Sequence, residues 1–101
     1  MLNLQKPKKE NNSMDYEKLI HSIIDEIVDD PKSVLIRISE PENSKDIDIV
    51  IASEKEDTSR LIGHKGTIAN AIREVVGVAG KSENKRVHIK FESFDEEKVE
   101  E

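Results

Sequence analysis

Apolar residues in the first third of the chain recur with the spacing of an α-helix. In residues 15–29 they come in pairs every four positions, which places one broad apolar stripe on a helix. The paired positions are Leu19, Ile20, Ile23, Ile24, Ile27 and Val28. Ser13 or Asp15 can cap the start of this helix with a side-chain oxygen. Pro31 favours an end near residue 29, because the residue before proline avoids the helical conformation.

Two runs with the alternation of a β-strand follow. Each has apolar residues at every second position, which is the pattern of a strand with one buried face. The alternating apolar positions are Val34, Ile36 and Ile38 in the first run and Ile47, Ile49 and Ile51 in the second. Residues 41–45 between them have the composition and length of a hairpin turn. The two strands are therefore predicted to be antiparallel neighbours.

The second half of the chain predicts two more helices. The first is short and covers residues 55–61, and the second is longer and follows Gly66. The apolar face of the longer helix is predicted to contain Ile68, Ile72, Val75, Val76 and Ala79. Gly77 lies inside this helix, where we expect it to permit close packing. Gly80 is expected to adopt the left-handed conformation that ends many helices.

A last strand is predicted over residues 86–92, where Val87, Ile89 and Phe91 alternate with polar residues. The element order is then α-β-β-α-α-β, and each element offers one apolar face. This order predicts an α+β domain with a three-stranded sheet and three helices packed on one face. The second and third strands are joined through two helices, so they are expected to be parallel. We assign residues 14–94 to this domain, 1–13 to a flexible extension and 95–101 to an acidic tail.

Composition narrows the classes of function. The chain has 101 residues, which is enough for one domain, and it has no cysteine, which excludes disulfides, zinc fingers and thiol catalysis. It contains no apolar run of membrane-spanning length, and residues 1–13 lack the apolar core of a signal peptide. We therefore expect a cytoplasmic protein that does not interact with membranes.

The net charge of −6 is unevenly distributed along the chain. Residues 14–54 contain four basic and eleven acidic residues, whereas residues 55–90 contain eight basic and four acidic ones. Only the second of these regions has the positive balance that contact with phosphate requires. The distribution permits a modest, local contact with RNA and argues against broad, tight coating of DNA.

The candidate chemistry is concentrated in Gly63-His64-Lys65-Gly66, between the two helices of this basic region. Because glycine has no Cβ, the backbone can approach a ligand closely at both ends of this loop. Thr67 lies where the next helix opens, and the first amide groups of a helix favour a phosphate. Lys65 and His64 add side-chain donors. The pattern therefore predicts a phosphate-binding loop.

This loop and its surroundings resemble the KH domain in its type II arrangement, over roughly residues 14–91. The stretch Arg-Leu-Ile-Gly-His-Lys-Gly-Thr-Ile at residues 60–68 is similar to the small bacterial proteins of the KhpA (YlqC) family. In KH domains the GxxG loop clamps the backbone of about four nucleotides of single-stranded RNA. With basic neighbours included, the predicted RNA-binding residues are Arg60, Ile62, Gly63, His64, Lys65, Gly66, Thr67, Ile68 and Arg73.

The resemblance implies more than the residues show by themselves. Members of the family are described as cytoplasmic RNA binders that self-associate and that pair with a larger KH protein, KhpB. They are linked to post-transcriptional regulation, cell elongation and cell division. One position departs from the family, because His64 stands where arginine or lysine is common. A neutral histidine at this position is expected to weaken one phosphate contact.

Each candidate also has a simpler interpretation. The loop could be an ordinary turn between two helices, although the element order around it favours binding. Arg60 and Arg73 are more readily explained as surface residues than as RNA contacts. The remaining basic side chains of the region are interpreted as solvated charges. These are Lys81, Lys85, Arg86 and Lys90.

An enzymatic function has no positive support in the sequence. The three histidines fall on a helix, a loop and a strand without partners at catalytic or metal-binding spacing, and no P-loop pattern occurs. We therefore expect no cofactor, no metal and no small-molecule substrate. The main alternative to RNA binding is a docking module that binds another protein and has little RNA affinity of its own.

Overall fold

A computed structural model of the protein describes residues 14–94. It contains three helices and a three-stranded sheet in the predicted order α-β-β-α-α-β, so the α+β fold class is confirmed. The elements are α1 (Tyr16–Ile24), β1 (Leu35–Ser39), β2 (Asp46–Ser53), α2 (Lys55–Ile62), α3 (Thr67–Ser82) and β3 (Arg86–Ser93). Single 3-10 turns at Pro31–Ser33 and His64–Gly66 precede β1 and α3. The extension and the acidic tail that the sequence predicts lie outside the described residues.

The sheet has the strand order β1-β2-β3, with β2 in the centre. Strand β1 is antiparallel to β2 and β3 is parallel to β2, as predicted, and Ile49 pairs with Ile38 on one side and Ile89 on the other. Alternate residues of β2 point toward the helices and are almost fully buried. Together with the helices they form one core, whose most buried side chains include Ile20, Ile24, Ile47, Ile49, Ile51, Leu61 and Val76. Each such side chain contributes about 1.5–3 kcal/mol to folding.

Helix α1 begins where the sequence predicts but ends earlier. The carboxylate of Asp15 accepts a hydrogen bond from the amide of Lys18 at 3.1 Å, which caps the helix. The helix ends at Ile24, so the predicted end at residue 29 is wrong. Val28 is nevertheless buried, because the chain continues in turns that keep it against the core. The apolar pattern therefore extends about one turn beyond the helix.

Glu83 connects the start of α1 to the loop after α3. Its two carboxylate oxygens accept hydrogen bonds from the amide of Met14 at 2.7 Å and from the hydroxyl of Tyr16 at 2.8 Å. Burial, together with the nearby negative charge of Glu83, raises the pKa of the Tyr16 hydroxyl well above its usual range. The hydroxyl therefore remains a donor to Glu83 at any physiological pH.

The two glycines inside α3 differ from the sequence-based expectations. Gly80 does not end the helix, which continues to Ser82, and the left-handed residue that follows it is Asn84 with φ of 62°. A Cβ at Gly80 would lie 2.6 Å from a methyl carbon of Val87, so this glycine permits close packing. A Cβ at Gly77 would meet no atom within 4 Å. The packing role that we expected for Gly77 therefore belongs to Gly80.

Helix α3 has a buried stripe and an exposed apolar stripe. The buried stripe consists of Ala69, Ile72, Val76 and Gly80. Val75, which the sequence places on the core face, is instead 51% exposed, and Val78 is 67% exposed. Helical spacing alone does not separate the two stripes, because they are adjacent on the helix surface. Within residues 14–94, no helix is both long and apolar enough to cross a bilayer.

Candidate functional site

The loop Gly63–Gly66 is a tight connection with three left-handed residues. Gly63, Lys65 and Gly66 have φ angles of 77°, 57° and 80°. The amide of Gly63 donates to the carbonyl of Ser59 at 2.9 Å, which ends α2, and the amide of Gly66 donates to the carbonyl of Gly63 at 3.1 Å. Helix α3 then begins at Thr67 without a side-chain cap. The loop is thus fixed by its own backbone rather than by side chains.

The two glycines of the loop have different surroundings. A Cβ at Gly63 would overlap the side chain of Ile68, with its Cβ atom only 2.9 Å away. A Cβ at Gly66 would meet no atom within 4 Å. Gly63 is therefore required by packing inside the protein. Gly66 instead leaves open space on the outer side of the loop, where a ligand backbone can approach.

His64 and Lys65 present their side chains to solvent at the tip of this loop. Among the residues that the structure describes, neither has an acidic partner within ion-pair distance. Lys65 therefore carries an uncompensated positive charge immediately before the N-terminus of α3. The positive end of the helix dipole adds to it, so the electrostatic field at the loop favours an anion.

Arg60 belongs to a different part of the molecule, although it is only three residues before the loop. Its guanidinium donates to the carboxylate of Asp57 at 2.6 Å. Asp57 is 2% exposed and also accepts hydrogen bonds from the amides of Asp29 and Asp30, at 2.8 and 3.1 Å. These hydrogen bonds, from Asp29 first, lower the pKa of the Asp57 carboxyl although burial alone would raise it.

Arg73 connects α3 to the outer edge of the sheet. Its Nε donates to the carbonyl of Ile89 at 3.2 Å, and its guanidinium lies 5.4 Å from the centre of the Phe91 ring. A further bond at 3.2 Å joins it to the side chain of Asn70. Within residues 14–94, strand β3 pairs only with β2, and Arg73 covers its other edge at this point. The boundary between α3 and β3, which we call the α3–β3 seam, begins beside the loop.

Apolar surface adjoins the loop on its other side. Ile62 is 36% exposed and Ile68 is half-buried. An open apolar groove of about 400 Å³ lies between the end of α1 and the first turns of α3. Its lining is Ile23, Ile27, Thr67, Ile68, Ala71, Ile72 and Val75. The structure thus brings Ile62, Thr67 and Ile68 to the loop, whereas Arg60 is held at Asp57 and Arg73 lies two turns along α3.

Two features of this region could not be identified from the sequence. In the sequence, Asp57 is only one of four acidic residues in a basic segment, because its backbone partners are nearly thirty positions away. The contact of Arg73 with Phe91 joins a helix to a strand that follows it by eighteen positions. The sequence shows only that Phe91 alternates with Val87 and Ile89. This pattern predicts the face of the sheet on which Phe91 lies, but not that Arg73 contacts it.

Comparison with known proteins gives a consistent result. A family model described as the KH domain of KhpA and KhpB matches residues 17–91, which include the whole loop. The RNA-binding protein KhpA of Bacillus subtilis is 38% identical over 79 residues, covering 78% of this chain and 93% of the relative. KhpA of Listeria monocytogenes is 36% identical over 75 residues, covering 74% and 96%. KhpA of Borreliella burgdorferi is 30% identical over 74 residues, covering 73% and 88%.

Proposed function

The chain belongs to the KhpA/KhpB KH-domain family, and we propose that it is a non-catalytic, cytoplasmic protein that binds single-stranded RNA through Gly63–Gly66. The observation that carries this proposal is the loop itself. Three left-handed residues and the unpaired charge of Lys65 are placed at the start of α3. The relatives' name, RNA-binding protein, agrees with this function.

In the proposed complex, one RNA phosphate lies against the outer side of the loop. Gly66 leaves the space for it, the start of α3 contributes the positive end of the helix dipole, and Lys65 donates from its ammonium group. Ile62 and Ile68 offer apolar contact to the bases beside this phosphate. His64 is a weaker donor than the arginine or lysine of other family members, because it is charged only when protonated.

The two arginines have unequal parts in this proposal. Arg73 lies on the α3–β3 seam, and its planar guanidinium over Phe91 is a surface on which a base can stack. Arg60 can reach RNA only by leaving the buried carboxylate of Asp57. We therefore place Arg73 in the path of the RNA and assign Arg60 mainly to the stability of α2.

The double variant His64→Asp/Lys65→Asp tests the loop. It places two negative charges where a phosphate is proposed to lie and leaves both glycines unchanged. We expect it to lose at least about ten-fold in affinity for a short single-stranded RNA, measured by fluorescence anisotropy. A plot of the logarithm of the wild-type affinity against the logarithm of the salt concentration should have a slope of about −2, as contacts with about three phosphates predict.

The matched control is Lys18→Asp/Lys32→Asp, which lowers the net charge at least as much on α1 and the turn before β1. It should keep most of the wild-type affinity. If the loop variant binds as well as this control, the loop is not the RNA site. If the wild-type protein binds no RNA at high concentration, the docking-module function replaces the present proposal.

We also propose that two copies associate through the exposed stripe of α3. Its residues are Ala71, Val75 and Val78. The steps of four and three residues are those of a helix that packs along another helix, and a twofold dimer places the same stripe on both sides. The groove beside it, lined by Ile23 and Ile27, extends the apolar surface. Two weak clamps on one RNA would bind more tightly than one.

Val75→Glu/Val78→Glu should therefore convert a dimer into a monomer, measured by light scattering during size-exclusion chromatography. Charges introduced into a paired apolar stripe have no partner in the dimer. Leu35→Glu is the control, because Leu35 is 58% exposed on the opposite side of the sheet. A monomeric wild-type protein, or a dimer that Leu35→Glu disrupts, would contradict this interface.

A KhpB-like protein could take the place of the second copy, since it has a KH domain of the same family. The proposal extends to a role in post-transcriptional regulation, cell elongation and cell division. In cells that lack the gene, wild-type protein should restore normal cell length and His64→Asp/Lys65→Asp should not. Equal rescue by both proteins would separate the cellular role from RNA binding at the loop.

A further inference from the structure

Four basic side chains surround a cavity at the end of α3 that lies away from the loop. The cavity has a volume of about 260 Å³ and is lined by Lys45, Lys81, Asn84, Lys85 and Arg86. The basic residues come from the hairpin before β2, the last turn of α3 and the start of β3. Asn84, with φ of 62°, makes the turn that brings Lys85 and Arg86 back beside the helix end. We call Lys45, Lys81, Lys85 and Arg86 the distal basic cluster.

About half of the charge of this cluster is uncompensated. Lys85 lies 3.7 Å from the carboxylate of Glu40, and Arg86 donates to Asp46 at 2.8 Å. Lys45 and Lys81 have no acidic partner within residues 14–94. Glu83, which is nearby in sequence, is already bonded to Met14 and Tyr16. Two free lysines around one cavity are unexpected in a chain with a net charge of −6.

The stability of the fold explains the position of only some of these basic residues. Cations are favoured near the C-terminus of a helix, so Lys81 in the last turn of α3 is explained by the helix dipole. Lys45 belongs to the hairpin between β1 and β2 and has no such relation to α3. Both lysines line the same cavity, and an anion bound there would reduce the repulsion between their like charges.

The cluster and the loop are at opposite ends of the same seam. Helix α3 has 16 residues, and a helix of that length spans about 24 Å. Between the two ends, Arg73 contacts the edge of β3, and Gly77 leaves the surface of the helix open. Positive groups thus follow one another along the seam, from Lys65 through Arg73 to the cluster.

We propose that the distal basic cluster is a second phosphate-binding site, which holds the same RNA strand that the loop clamps. This inference rests on the proposed function, because it assumes that the loop binds RNA. A clamp of the KH type covers about four nucleotides. A strand of that length is held by the loop alone, and only a longer strand reaches the cluster along the seam.

The experiment measures the affinity of three proteins for RNAs of about five and about twelve nucleotides by fluorescence anisotropy. The shorter RNA is close to the length that a KH clamp covers, and the longer one exceeds it. The proteins are the wild type, Lys45→Glu/Lys81→Glu, and the control Lys32→Glu/Lys90→Glu, which changes the net charge equally at other exposed sites. The cluster variant should bind the short RNA as the control does. It should lose roughly ten-fold for the long RNA, with the salt slope changing from about −3.5 to about −2.

Two results would overturn the second site. One is a long RNA that binds the cluster variant and the control equally, because its extra affinity would then arise elsewhere, such as at the clamp of a second copy. The other is equal affinity of wild-type protein for both RNAs. Failure of the proposed function looks different, because the wild-type protein would then not bind the short RNA at all.

Discussion

Gly63→Ala is expected to destabilise the protein by about 2–4 kcal/mol. It should also abolish RNA binding, because the loop would lose its structure. Gly63 has φ of 77° and ψ of 177°, a conformation that is essentially restricted to glycine. The new methyl group would also overlap the side chain of Ile68, whose Cβ and backbone nitrogen are 2.9 and 3.0 Å away. The loss should appear as a lower midpoint of urea denaturation.

Gly66→Ala is the matched comparison, because this glycine shares the positive φ but not the overlap. At φ of 80° and ψ of 12° it is in the left-handed helical region, where alanine costs about 1 kcal/mol. The variant should fold, yet lose roughly ten-fold in RNA affinity, because its methyl group would lie where we propose that the phosphate approaches. Wild-type RNA affinity in this variant, or wild-type stability in Gly63→Ala, would contradict the roles assigned to the two glycines.

The fold could be predicted because its elements are specified by local patterns. The alternation of Ile47, Ile49 and Ile51 identifies β2, and all three side chains are buried in the structure. The element order then limits the sheet to the pairing that is observed. Prediction failed where distant residues decide a local conformation. Helix α1 was predicted to reach residue 29, but the amides of Asp29 and Asp30 bond to the carboxylate of Asp57, far along the chain, and not to a preceding turn of helix.

The glycines of α3 are a second case in which the sequence does not predict the role of a residue. Gly80 and Asn84 are both suited to a left-handed helix end, and the local sequence gives no reason to choose Asn84. In the structure Gly80 is needed for another reason, because Val87 packs so close to it that a Cβ would overlap. For Gly77 the sequence predicts a packing role, because a glycine inside a helix is costly, yet the position faces open space.

The loop of the candidate site could be predicted from the sequence, but the pairing of the charged side chains around it could not. Gly63 and Gly66 are recognisable because their spacing and their place before a helix are local. The charges around them are not, since the sequence shows that a residue is basic but not whether an acid neutralises it. Arg60 is paired in the structure, whereas Lys81 lines a cavity together with Lys45 and has no acidic partner among the described residues.

Asp57→Ala is expected to lower the free energy of unfolding by about 2–4 kcal/mol, and Asp57→Asn by about 1–3 kcal/mol. The carboxylate accepts two backbone amides and the guanidinium of Arg60. Alanine leaves both amides without this acceptor, whereas asparagine retains one oxygen. Urea denaturation at neutral pH measures both losses. The control is Asp46→Asn, which removes a carboxylate whose partner Arg86 is mostly exposed, and such a pair adds little to stability.

The pH dependence of the stability tests whether the negative charge of Asp57 matters or only its hydrogen-bonding geometry. Hydrogen bonds from the amide of Asp29 first, and from Asp30 and Arg60, lower its pKa in the folded protein, whereas the unfolded chain has the usual value of about 3.9. The stabilisation by this carboxylate is therefore complete above about pH 4 and is lost as the pH falls through the lower folded-state pKa. Wild-type stability should decrease over that acid range more steeply than that of Asp57→Asn, so the two curves converge. Curves that remain parallel would mean that the hydrogen-bonding shape of the side chain, and not its charge, fixes the connection between α1 and β1.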